Sequence, residues 1–84
     1  MKLIVCFNCN DVISLRNQER TCCCGESGGH YTDSLNAVVW GKAIPLGFNN
    51  RSFIDALKNR PDSGLGSMFE AFVIPKECPT VRED

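Results

Sequence analysis

Two closely spaced cysteine pairs constrain this chain more than any other feature. Cys6-Phe7-Asn8-Cys9 is followed, after twelve intervening residues, by Cys22-Cys23-Cys24-Gly25. Two such pairs in a β-rich segment, each closed by a residue that tolerates left-handed backbone, form one tetrahedral thiolate site for a metal ion. Asn10 and Gly25 are those closing residues. At 84 residues the chain buries too little apolar surface to be comfortably stable on its core alone, and a metal would staple it. Four sulfur ligands close the coordination sphere, so the ion would hold the fold and leave no place for a bound water.

The three consecutive cysteines have to be sorted. Side chains alternate sides in an extended segment, so Cys22 and Cys24 can face one ion while Cys23 faces away. Gly25 marks Cys24 as the closing ligand. The expected ligands are therefore Cys6, Cys9, Cys22 and Cys24; the rival sets put Cys23 in place of Cys22, or His30 in place of either. Zinc is the expected ion and iron the alternative, because thiolates suit both. Cys78 reads as an incidental thiol, and His30, the only histidine, as a strand residue beside the metal hairpin. A general base would need an oriented nucleophile or water next to it, and no motif supplies one.

Along the chain, Met1 to Cys6 and Val12 to Leu15 read as strands flanking the first pair, with a polar turn over Arg16 to Arg20. Gly28-Gly29 permits a sharp bend before a strand from His30 to Thr32, and Asp33 to Asn36 reads as a hairpin turn. Ala37 to Ile44 is the strongest strand, ended or bent by Pro45 and Gly47. Ser52 to Asp55 resembles a capping box for a helix over 52–60, with Phe53, Ile54 and Leu57 on one face and Pro61 as the stop. Met68 to Ile74 is apolar except for Glu70 and fits a largely buried strand. Residues 79–84 read as a frayed tail. Trp40, Phe48, Phe53, Phe69 and Phe72 are the expected core aromatics.

The cysteine pattern, Cys6-x-x-Cys9-Asn10 with Cys22-x-Cys24-Gly25, resembles the zinc ribbon and rubredoxin-like group over about residues 3 to 33. The first pair lacks the proline often found after its first cysteine, and the second is one residue shorter than the commonest form. The resemblance implies two knuckles on adjacent β-hairpins clamping one ion, and partners that are nucleic acids or proteins. The expected fold is α+β: one domain over residues 1–84, with a ribbon over 1–33, strands and the short helix over 34–78, and the tail. Only five apolar residues follow Lys2, too few for a signal peptide or a membrane span, so a cytoplasmic protein with reduced thiols is expected.

Nine Lys and Arg against ten Asp and Glu give a net charge of -1, and four ligating thiolates with a divalent ion move it to about -3. Nucleic-acid binders are usually strongly basic, which places a protein partner ahead of a nucleic acid. Arg16, Arg20 and Trp40 are the candidate contact residues. The function expected from all this is non-enzymatic: a zinc-stabilised adaptor or regulator, of the kind met as bacterial or bacteriophage accessory proteins. A nucleic-acid-binding ribbon and an iron-binding electron carrier are the alternatives.

Overall fold

β-Branched and aliphatic residues open the chain, and in the computed structural model, which describes residues 1–84, Lys2–Cys6 form strand β1 and Val12–Ser14 form β2. The pair is antiparallel, with Ile4 opposite Ile13, and its connection carries the first cysteine pair. Arg20–Thr21 (β3) and Ser27–Tyr31 (β4) make a second antiparallel hairpin around the second cysteine group. The predicted bend at Gly28-Gly29 is absent. Both glycines lie inside β4 because the Trp40 indole sits where a Cβ on Gly28 would be. A missing side chain here admits a large neighbour and leaves the strand straight.

The Asp33 to Asn36 turn forms as expected. The Asp33 carboxylate accepts the backbone N–H groups of Leu35 (2.8 Å) and Asn36 (2.7 Å) and the Asn36 side-chain amide. These donors hold its carboxyl down at about 2.

The strand predicted over Ala37 to Ile44 is in fact two. Ala37–Gly41 (β5) pairs with β4, and Ala43–Phe48 (β6) pairs with β1 in the other sheet. The chain changes sheets at Gly41, whose φ is +73° and whose Cα hydrogen faces the Glu26 carbonyl so closely that a Cβ would overlap it. Pro45 neither ends nor bends β6. Its carbonyl accepts the Ile74 N–H, so its backbone faces away from β1 and its lacking donor removes no bond from the β1 ladder.

Helix α1 spans Asn50–Lys58, two residues ahead of the predicted 52–60. Asn49 is the cap, its side chain accepting from Ser52 N at 3.1 Å. Ser52 instead accepts the Glu70 N–H at 2.8 Å and so ties the helix to the start of Ala71–Val73 (β7). Phe53 contacts Phe48 and Phe69 at ring separations of 5.2 and 4.9 Å, but Ile54 and Leu57 are exposed. Asn59 closes the helix before Pro61 is reached.

The predicted buried strand over Met68 to Ile74 is another correction. Only β7 is extended, it lies at a sheet edge, and Phe72 and Val73 are 55% and 65% exposed, with Ile74 alone buried. The aromatic contacts of α1 go to Phe48 and Phe69, and its Ser52 stops at Glu70, short of β7. The expected tail is also ordered: Val81–Glu83 (β8) pairs in parallel with β5, and Val81 is buried.

The fold is α+β, with two four-stranded sheets ordered β2-β1-β6-β7 and β3-β4-β5-β8. The core draws on both: Ile4, Ile13, Leu15, Ala43 and Ile74 meet Ala37, Val39 and Val81, together with Cys6 and Cys22. It is aliphatic, and the aromatics expected in it lie outside. Phe48, Phe53 and Phe69 make a separate cluster against α1, while Trp40 covers Gly28 on the other sheet. No helix is long and apolar enough to cross a membrane.

Candidate metal centre

Each cysteine group sits in a tight turn whose backbone is dictated locally. In the β1–β2 connection the Asn10 N–H donates to Cys6 O at 2.8 Å, and Asn10 takes the left-handed conformation with φ 61°. That fold-back aims the Asn8 N–H at Cys6 Sγ, 3.4 Å away. In the β3–β4 connection the Gly25 N–H donates to Cys22 O at 3.1 Å, and Gly25 has φ 81°. Cys22 to Gly25 is thus a turn and not the extended segment used above to sort the three cysteines. The turn nevertheless puts the Cys22 and Cys24 sulfurs 3.5 Å apart, with Cys23 directed elsewhere.

The sulfurs of Cys6, Cys9, Cys22 and Cys24 all lie within 4.8 Å of one another. Cys6 and Cys24, from different hairpins, are 3.7 Å apart. A tetrahedral ion with metal–sulfur bonds of ~2.3 Å sets its sulfurs about 3.8 Å apart, so these separations fit one ion. Cys6 and Cys22 are buried, Cys9 is half-buried and Cys24 is exposed, which puts the site at the rim of the core.

The surrounding donors favour thiolates. Ser27, fully buried, donates its hydroxyl to Cys6 Sγ at 3.2 Å. That bond leads the causes that bring the Cys6 thiol down to about 6, with the amides of Cys9 and Asn8 adding to it. Asn8 Nδ2 approaches Cys24 Sγ at 3.4 Å. Against the lowering by Asn8 and the Glu26 amide, burial and the neighbouring Cys22 and Cys9 thiols push Cys24 up to about 11. One negative sulfur makes the next resist ionisation, and a divalent cation relieves that conflict.

The other predicted site residues are placed apart. Cys23 stands outside the four, with its sulfur 3.4 Å from Cys9 Sγ and its N–H donating to Asp11 Oδ2 at 3.0 Å. His30 does not join the sulfurs. Its Nδ1 lies 3.2 Å from Glu19 Oε2, and Glu19 also accepts from the Trp40 indole. Arg20 donates to Ser14 O and Oγ at 2.9 and 3.1 Å, so its guanidinium is held within the fold. Arg16 is exposed and Trp40 half-buried. Lys2 donates to Leu35 O at 2.6 Å and lies over the Tyr31 ring. Cys78 is remote from the cluster, with its sulfur beside the Thr80 hydroxyl at 3.4 Å.

Sequence reasoning missed Ser27 and Asp11. Asp11 follows the closing Asn10 directly, and Ser27 lies three residues past Cys24, so proximity in the chain was the available signal. Their roles depend on the two hairpins meeting across the sheets. No known protein family, curated protein or solved structure matches the chain.

Proposed function

We propose that Cys6, Cys9, Cys22 and Cys24 hold one zinc ion and that the chain is a non-enzymatic adaptor or regulator whose partner is another protein. The metal reading is carried by four sulfurs gathered from two hairpins at separations one tetrahedral ion spans. When bound, the ion supplies positive charge and a cross-link between the hairpins. The chain's own residues do the rest. Ser27 and the Asn8 amide stabilise negative sulfur, and Asn10 and Gly25 close the turns.

A protein partner is supported by the distribution of apolar surface. Leu65 and Met68 are fully exposed, and Phe72 and Val73 lie on an unpaired sheet edge. Leu65 and Met68 stand three residues apart in one loop, and exposed apolar surface of this kind usually marks a contact. Arg20 and Lys2, two of the nine basic residues, are engaged within the fold, and the net charge of -1 lacks the strongly basic balance usual in nucleic-acid binders.

The test combines elemental analysis with substitution. The purified chain is expected to carry one zinc per molecule, Cys6→Ser and Cys24→Ser to lose it, and Cys78→Ser to keep it. A folded chain without metal, or equal metal in all three variants, overturns the site. For the partner, Leu65→Asp with Met68→Asp is expected to abolish capture of a defined protein from the source cells at unchanged metal content. Salt-sensitive binding to DNA or RNA that survives this double change would overturn the protein reading.

A further inference from the structure

We infer that Cys23 and Cys9 form an oxidisable thiol pair through which a peroxide disconnects one sulfur of the four-cysteine site. This rests on the metal reading above. The observation behind it is that a fifth sulfur, not needed to complete the four, lies 3.4 Å from one of them. That is closer than Cys6 to Cys24 or Cys22 to Cys24. The placement is held from the backbone: Asp11, in the same connection as Cys9, accepts the Cys23 N–H at 3.0 Å. The two turns are thus tied to each other just where the extra sulfur meets Cys9.

Accessibility and chemistry then choose the order of events. Cys23 and Cys24 are exposed, Cys9 is half-buried, and Cys6 and Cys22 are buried; of the two exposed sulfurs Cys24 is held among the four, which leaves Cys23 as the accessible thiol outside the set. Oxidant meets Cys23 first, and reaction there breaks no bond among the four. The Cys23 sulfur attacks one oxygen of hydrogen peroxide; the O–O bond breaks, the sulfur keeps a hydroxyl as a sulfenic acid, and the other oxygen leaves as water. The Cys9 sulfur next attacks the Cys23 sulfur, forming the disulfide and expelling the hydroxyl, which takes a proton and leaves as a second water. Cys9, held as a thiolate, gives up its bond to the ion and brings no proton, so the expelled hydroxyl is protonated by solvent, and the two sulfurs together pass two electrons to one peroxide.

The disulfide removes Cys9 from the ligand set. Three sulfurs remain, of which Cys24 is exposed, and an ion so held exchanges readily. A dithiol reverses the change, so the pair sets metal retention by the local oxidant level.

The experiment treats the zinc-loaded full chain with hydrogen peroxide and follows zinc with a chromogenic chelator, while mass spectrometry of the alkylated protein maps the first disulfide. Wild type and Cys78→Ser are expected to release zinc as a Cys9–Cys23 linkage appears, and dithiothreitol with added zinc to restore the loaded form. Cys23→Ser is expected to release zinc about tenfold more slowly. Release from Cys23→Ser at the wild-type rate, or a first linkage within the set of four, overturns the inference and leaves the metal reading intact. Mapping the chelator-treated chain separates the two in the other direction. A Cys9–Cys23 linkage there supports the pair even if the untreated chain proves to carry no metal.

Discussion

At the scale of single residues, the candidate site depends on groups that tune sulfur as much as on the sulfurs. Ser27 is the clearest case: it is wholly buried, and its hydroxyl points at Cys6 Sγ. Its removal leaves the Cys6 thiolate without its strongest stabilising bond and raises that thiol from about 6 toward its ordinary range. A folded-state value depressed in this way stabilises the structure above the unfolded thiol's range and loses that contribution as pH falls through about 6. Protons compete with metal for the same sulfur, so Ser27→Ala is expected to lose metal at a higher pH than wild type. At neutral pH its metal affinity should fall by about 10–100-fold, the usual effect of removing a partner behind a ligand. Chelator competition across a pH series measures both.

At the scale of elements, caps and corners were the features that local reading placed least well. Ser52 looks like a helix cap because it precedes an apolar, acidic stretch, yet Asn49 holds that position and Ser52 reaches across to Glu70. Asn49→Ala is expected to cost about 1 kcal/mol and to reduce helical circular dichroism. Ser52→Ala should spare the helix and speed amide exchange at Glu70. The Gly41 corner is more severe. Its left-handed φ and the Glu26 carbonyl beside it leave no room for a methyl group. Gly41→Ala is expected to destabilise the chain by about 2 kcal/mol or more in denaturant unfolding. Because Lys42 N donates to Glu26 O, the same change loosens the turn that presents Cys24. An unchanged midpoint would show that the two sheets do not depend on this corner.

For the whole molecule, the cysteine cluster lies where the two sheets converge, since one turn leaves β1 and the other enters β4. Burial of Ile4 and Val39 stabilises the same junction, each by about 2 kcal/mol. Removing the ion with a chelator is therefore expected to cost on the order of several kcal/mol and to lower protection in both sheets at once. Native-state hydrogen exchange would test this, and loss confined to residues 7–11 and 22–26 would show that the core stands without the cross-link. Leu65, Met68, Phe72 and Val73 are exposed and none belongs to the core that holds Cys6 and Cys22, so partner binding and metal binding should respond to separate substitutions.

What the sequence determined by itself is what neighbouring residues impose on one another. The cysteine-bearing turns, the left-handed Asn10 and Gly25, and the Asp33–Asn36 turn all close over five residues or fewer, where backbone sterics and short hydrogen bonds suffice. Tertiary structure alone decided which strands share a sheet, why the chain breaks at Gly41, and why Phe72 faces solvent while Val81 is buried. It also decided that Cys23 meets Cys9 across Asp11. These outcomes depend on pairings between residues far apart in the chain, and no local conformational preference encodes which distant strand or sulfur will lie opposite.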